Sequence, residues 1–314
     1  MACKTRDAGS KDAPKSPQVF DSNDLSEVGH VIGVVSGKGG VGKSLVSCSL
    51  AIGLARAGYK VGILDADITG PSVPHMMGLD DERLMSLGNL FLPSIASVPG
   101  TEGVKVMSAN LLLARKDDPV LWRGPVLAGA LKQFWSDTSW GPIDYLIVDM
   151  PPGTGDVALT VYQSLPIDGV VIVTSPQDLV SMIVGKAVKM AAKMGVGVLG
   201  ITENLSYVVC PTDGTRIDIF GPSHLKRDAE LAGVPALDRM PIEPALAAAC
   251  DAGQLAESLP EGYLAATIQR VIDLDTNPAQ VPSIEAMNAR ADALGMPHTP
   301  ADPTDSYDAT PEEI

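Results

Sequence analysis

The eight residues Gly37-Lys38-Gly39-Gly40-Val41-Gly42-Lys43-Ser44 constrain this chain more than any other segment. They follow an apolar run, residues 31–35, and open a stretch of helical periodicity, residues 43–57. A G-x-x-x-x-G-K-[ST] sequence between a strand and a helix is the pattern of a phosphate-binding loop. Its glycines let backbone N–H groups turn inward onto phosphate oxygens, and the N-terminus of the following helix adds partial positive charge. Residues Gly37, Lys38, Gly39, Gly40, Val41, Gly42, Lys43, Ser44 and Leu45 are therefore expected to wrap the phosphates of ATP. Lys43 should reach the β- and γ-phosphates, and the Ser44 hydroxyl should ligate Mg²⁺.

The loop also sets the fold class. Further apolar runs follow at residues 61–64, 143–148, 170–174 and 196–201. They are continuous rather than alternating, as suits strands buried on both faces of a parallel sheet. Helical patterns lie between or after them, at residues 125–135, 179–194 and 244–252. The alternation predicts an α/β protein with a doubly wound, mostly parallel sheet and helices on both faces. Ligands of such sheets bind outside the carboxyl ends of the strands.

Composition narrows the partners. The formal net charge of −15 argues against a nucleic-acid backbone or an anionic membrane. No segment reaches the ~18 apolar residues of a membrane span. Residues 271–314 carry nine acidic side chains against one basic, Arg290. We expect a body at residues 29–272, with a polar, flexible extension at 1–28 and an acidic, flexible tail at 273–314. The four cysteines, Cys3, Cys48, Cys210 and Cys250, are widely spaced and suggest no disulfide framework, consistent with a cytoplasmic protein. His30, His75, His224 and His298 are scattered and form no metal motif.

Two strand ends carry carboxylates. Asp65 and Asp67 are one residue apart after the second run, so both face the ligand crevice. Asp149 emerges at the end of the 143–148 run, where it can hold a magnesium-bound water. The segment Met150-Pro-Pro-Gly-Thr-Gly-Asp156 that follows pairs rigid prolines with glycine hinges, as suits a loop that responds to the γ-phosphate.

Lys38, on the loop tip beside two glycines, has no packing role of its own; the ordinary reading would be a solvated charge. The octapeptide, however, resembles the deviant Walker A loop of SIMIBI-class P-loop NTPases. That resemblance implies a homodimer in which Lys38 reaches the partner's nucleotide, and gives Asp67 the role of orienting the attacking water. Asp65 would support Mg²⁺ or the loop. Longer matches point to the Mrp/ApbC family of iron–sulfur cluster carriers. They are Asp65-Ala-Asp-Ile-Thr-Gly-Pro-Ser-Val-Pro74, Trp122-Arg-Gly-Pro125, Gln133-Phe134, Trp140-Gly141, Asp144 through Asp156, Ser175-Pro-Gln-Asp178 and Glu203-Asn-Leu-Ser-Tyr207. The likeness covers residues 30–259 and implies slow ATP hydrolysis, a shared [4Fe–4S] cluster and delivery to apo-proteins. It also makes Asn204, just after a strand, a reader of adenine.

One position departs from that family. Its C-x-x-C cluster site reads Cys210-Pro211-Thr212-Asp213 here. Two subunits would bring two thiolates, where a [4Fe–4S] cluster ordinarily takes four. Two outcomes stay open: Asp213 is an oxygen ligand beside Cys210, or the cluster has been given up and the chain is a nucleotide-switched adaptor. A positioning ATPase similar to ParA or MinD shares the loop, but it would need a basic surface or helix where this chain is acidic. Arg123, within the Trp122–Pro125 match, has no role beyond a charge partner.

Overall fold

The computed structural model describes residues 22–68, 70–112 and 124–294. In chain order these form β1 (Ser26–Ser36), α1 (Lys43–Arg56), β2 (Val61–Asp65), α2 (Val73–Met76), β3 (Met85–Leu87), β4 (Leu90–Leu92), β5 (Ser94–Ala96) and β6 (Val104–Ser108). Then come α3 (Gly124–Ser136), β7 (Gly141–Asp149), α4 (Asp156–Ser164), β8 (Gly169–Thr174), α5 (Asp178–Lys193), β9 (Val198–Val209) and β10 (Arg216–Ile217). The last are α6 (Leu225–Ala232), β11 (Ala236–Pro241), α7 (Pro244–Asp251), α8 (Leu255–Ser258), α9 (Ala265–Ile272) and α10 (Ile284–Ala293).

Nine strands make one sheet in the order β10-β9-β8-β1-β7-β2-β6-β5, with β11 added on β9. All its pairings are parallel except β5 on β6 and β10 on β9. The apolar run of β1 explains why both faces are covered. Val31 and Val35 point into one core, with Leu131 and Phe134 of α3, Val161 of α4 and Val188 of α5. Ile32 and Val34 point into the other, with Leu50 and Leu54 of α1 and Leu246 of α7. Alternate side chains of one strand thus feed two helical layers, which is why the run shows no polar alternation.

The five apolar runs and four helical patterns all lie on observed elements. The expected ends of the body do not hold. At the start, the Asn23 amide donates to the carbonyls of Ser136 (2.8 Å) and Thr138 (2.7 Å), and β1 begins at Ser26, inside the expected extension. At the other end, residues 273–294 are packed rather than a flexible tail. Leu274 is buried in one core and Met287 of α10 in the other. The Val198 N–H donates to the Gln280 carbonyl (2.9 Å), and Asp275 meets His30 Nε2 at 3.1 Å. A segment acidic on average is anchored by a few well-placed apolar side chains. Residues 295–314 lie outside the described residues.

Candidate nucleotide site and the Cys210 hairpin

Sheet register assembles the site. β1 lies between β7 and β8, and β7 between β1 and β2. Val34 pairs with Asp149, and Asp149 with Asp65, so the loops leaving β1, β7 and β2 start side by side. The chain ends of these strands are also laced together. The Ala66 N–H donates to the Asp149 carbonyl (3.0 Å), and the Gly153 N–H of the glycine-hinged segment to the Ser36 carbonyl (2.9 Å).

The glycine loop runs from β1 into α1. Two of its glycines are needed for close approach. A Cβ on Gly37 would lie 2.6 Å from the Ile183 carbonyl oxygen of α5. A Cβ on Gly42, whose φ of +77° already suits glycine, would lie 2.2 Å from the Asn204 amide nitrogen. At Gly39 and Gly40 a Cβ would meet nothing, so the crest of the loop is open, and Lys38 on it is exposed.

Below the loop, Asp149 has 0% exposure and accepts three charge-assisted or hydroxyl bonds. Lys43 Nζ is 2.6 Å from Oδ1, the Ser47 hydroxyl donates to Oδ1 at 2.6 Å, and the Ser44 hydroxyl donates to Oδ2 at 2.6 Å. An isolated buried carboxylate would cost several kcal/mol, on the order of 5, and the ammonium with two hydroxyls offsets this. Asp65 is equally buried. It accepts the N–H of Asp67 (3.2 Å), the N–H of Val73 (3.3 Å) and the Ser108 hydroxyl (3.2 Å). Burial raises the Asp65 carboxyl well above the usual carboxylate range. The Asp149 charge raises it further, against the opposing pull of Lys43. Asp67 sits half-buried at the mouth. Lys43, Ser44, Asp65 and Asp149 therefore come together, with Asp67 at their rim.

Asn204 is not after a strand, as expected, but inside β9, 1% exposed. Its amide nitrogen donates to the Val41 carbonyl of the loop at 3.0 Å. Its Oδ1 is buried without a hydrogen-bond partner among the described residues. Sequence reasoning missed Ser47 and Ser108. Ser47 was in reach, since it lies four residues after Lys43 and so on the same helix face. Ser108 was not, because β6 was never read as a strand. Arg123 lies outside the described residues.

Cys210 and Asp213 occupy the turn between β9 and β10. The Cys210 N–H donates to the Thr215 carbonyl (2.8 Å) and the Gly214 N–H to the Cys210 carbonyl (2.9 Å). The Asp213 carboxylate accepts the Thr215 N–H (2.9 Å). That bond, followed by those from the Cys210 thiol and the Thr215 hydroxyl, holds its carboxyl below the usual range. Around the turn Ile217 (50%), Ile219 (55%) and Phe220 (43%) are exposed. Cys48 and Cys250 are buried away from it, and burial raises both thiols, so neither serves as a substitute ligand. Among the described residues no group of three or more His, Cys, Asp or Glu is placed to hold a metal ion, and no helix is long and apolar enough to cross a membrane.

The chain is similar to known proteins. An iron–sulfur cluster carrier protein of Clostridium perfringens is 48% identical over 242 residues, covering 75% of this chain and 84% of its own length. A nucleotide-binding protein from Archaeoglobus fulgidus, solved in complex with ADP, is 39% identical. It superposes with a TM-score of 0.67 over 75% of this chain and 91% of its own. The septum site-determining protein MinD of Pyrococcus horikoshii, solved with Mg-ADP, is 23% identical with a TM-score of 0.52 over 79% of this chain and 96% of its own, a likeness of fold. The family model of the NUBPL iron-transfer P-loop NTPases matches residues 27–274, from the start of β1 to just past α9, and this chain belongs to that family.

Proposed function

We propose that this protein is a cytoplasmic, homodimeric ATPase of slow turnover that carries an iron–sulfur cluster to apo-proteins or other assembly factors. The observation that carries the nucleotide half is the set Lys43, Ser44 and Ser47 gathered on the buried Asp149 beneath an open glycine crest. The residues fit Mg²⁺ and ATP. Ser44 would hold the metal directly and Asp149 through water, and the metal would offset phosphate charge. The amides from Gly37 to Leu45 bind phosphate oxygens, and Lys43 turns from Asp149 toward them. Asp67 orients the attacking water, and Lys38 of the partner subunit, exposed on its crest, adds positive charge in the transition state. The unpartnered Asn204 Oδ1 is an acceptor for the amino group of adenine.

The cargo half rests on family membership and on Cys210 in its exposed turn, with Asp213 as an oxygen ligand. A second reading has one observation in its favour. The Asp213 carboxylate already closes its own turn through Thr215 and Cys210, as a structural residue would, and this suits an adaptor that no longer holds a cluster. Anaerobic reconstitution with iron and sulfide separates the two. A carrier takes up about four irons per dimer and loses them in Cys210→Ala. An adaptor binds ATP, takes up no iron, and gains it in Asp213→Cys. A chain that binds neither nucleotide nor iron sinks both readings.

A further inference from the structure

β9 touches the phosphate loop at Asn204, midway along the strand, and ends at the Cys210 turn; the stretch that starts at Asn204 is irregular. Against β11, Glu203 pairs with Arg239 and Tyr207 with Pro241. Asn204, Leu205 and Ser206 therefore stand opposite Met240 alone, a bulge of two extra residues. At its centre Leu205 has a φ of +54°, a left-handed conformation that a leucine side chain disfavours.

The bulge turns its two flanking polar side chains to different partners, both beyond the carboxyl edge of the parallel strands. Asn204 holds the Val41 carbonyl of the phosphate loop. Ser206 donates to the buried Glu203 carboxylate (2.5 Å) and accepts from Arg239 Nε (2.8 Å). Arg239 also lies 3.4 Å from Glu203 and reaches Asp218 Oδ1 at 3.0 Å, just after β10. Its guanidinium lies 5.6 Å from the Tyr207 ring, and that of Arg216, on β10, 4.5 Å from it. The inner contacts on this path, Asn204 to the Val41 carbonyl and Ser206 to Glu203, are buried, whereas the outer Arg239–Asp218 pair is partly exposed.

We infer that the Asn204-Leu205-Ser206 bulge is a mechanical link. Asn204 positions the phosphate loop and Arg239 positions the Cys210 hairpin, so that nucleotide occupancy sets the exposure of Cys210. Closing the loop on phosphate displaces the Val41 carbonyl, draws on Asn204, and lets the left-handed Leu205 relax. Ser206 and Arg239 then shift the β10 side of the turn. The bistable element is the leucine backbone, held out of its preferred region by contacts on both sides. This inference rests on the nucleotide binding proposed above, but not on the presence of a cluster.

The test is the rate of N-ethylmaleimide addition to Cys210, read by mass spectrometry of its peptide in the full chain, with and without Mg·ATP. Nucleotide affinity is measured separately with a fluorescent ADP. In the native chain Mg·ATP is expected to change the rate by at least about fivefold, the lower end of ordinary coupling between two sites. Arg239→Ala, remote from the nucleotide, should keep the affinity and lose the response, with Arg239→Lys restoring part of it. Leu205→Gly keeps both sets of contacts but removes the steric cost of the left-handed backbone, and it should also blunt the response. Equal responses in the native chain and these variants would overturn the link, as would a native chain that binds ADP tightly yet shows no change at Cys210. Failure to bind ADP at all would remove the proposed function and the link with it.

Discussion

Asp149 and Asp213 are both carboxylates beside the chain's chemistry, and their surroundings are opposite. Asp149 has no exposure and is fixed by three donors from a neighbouring helix. Asp213 stands on an exposed turn between β9 and β10 and is fixed mainly by that turn. The first site is completed within one subunit by strand register. The second, as proposed for the carrier, is completed only when two subunits bring their Cys210 turns together on one cluster. One site thus has its geometry paid for by folding, and the other leaves that to assembly.

The contrast can be broken most sharply at Lys43. Lys43→Met leaves Asp149 and Asp65 facing each other without a cation, and urea unfolding should show a loss of about 3–5 kcal/mol. ADP binding should vanish with it. A variant of native stability would mean that the buried carboxylates do not need the ammonium. Ser47→Ala removes a hydroxyl donor from the same carboxylate, and the same titration should show about 1.5–3 kcal/mol.

Asp65→Asn tests electrostatics rather than packing. Its folded-state pKa is raised, so its contribution to stability is full at low pH and falls as pH rises from the ordinary carboxylate range toward the raised value. In the asparagine variant that part of the decline should be absent, and melting temperatures from pH 4 to 8 should be flatter than in the native chain. An unchanged pH slope would mean Asp65 is ionised throughout. The smallest effect is expected at the hairpin. Cys210→Ala and Asp213→Ala should each move stability by less than about 1 kcal/mol by chemical unfolding, because neither side chain is part of either core. A larger loss there would erase the contrast between the two sites.

The sequence made the first site far more legible than the second. Strand–loop–helix context and the lysine-serine pair placed Lys43 and Ser44, and a carboxylate at the end of an apolar run placed Asp149. Local patterning suffices there, because each residue lies at the end of a regular element. Asn204 was misplaced because β9 continues through a bulge that no periodicity marks. The Arg239 network escaped notice because it joins β11 to β9, two strands that meet only in the folded sheet. The boundary near residue 272 failed for a related reason. Mean composition is set by acidic residues that mostly lie off α10, whereas the docking of the segment depends on Leu274, Met287 and a few backbone bonds.

The pairing of Ser44 with Asp149 spans 105 residues of chain. A site that closes over so long a loop cannot exist early in folding, since such contacts wait until the intervening sheet has formed. While the chain emerges from the ribosome, β1 therefore offers two apolar faces and an unfilled backbone ladder long before β7 is made. Nucleotide cannot nucleate this structure; it can only reward its completion, by slowing the reopening of β1 from β7. The half-made chain is thus the period of greatest risk for aggregation, and holding β1 until β7 arrives is the service a chaperone would perform for it.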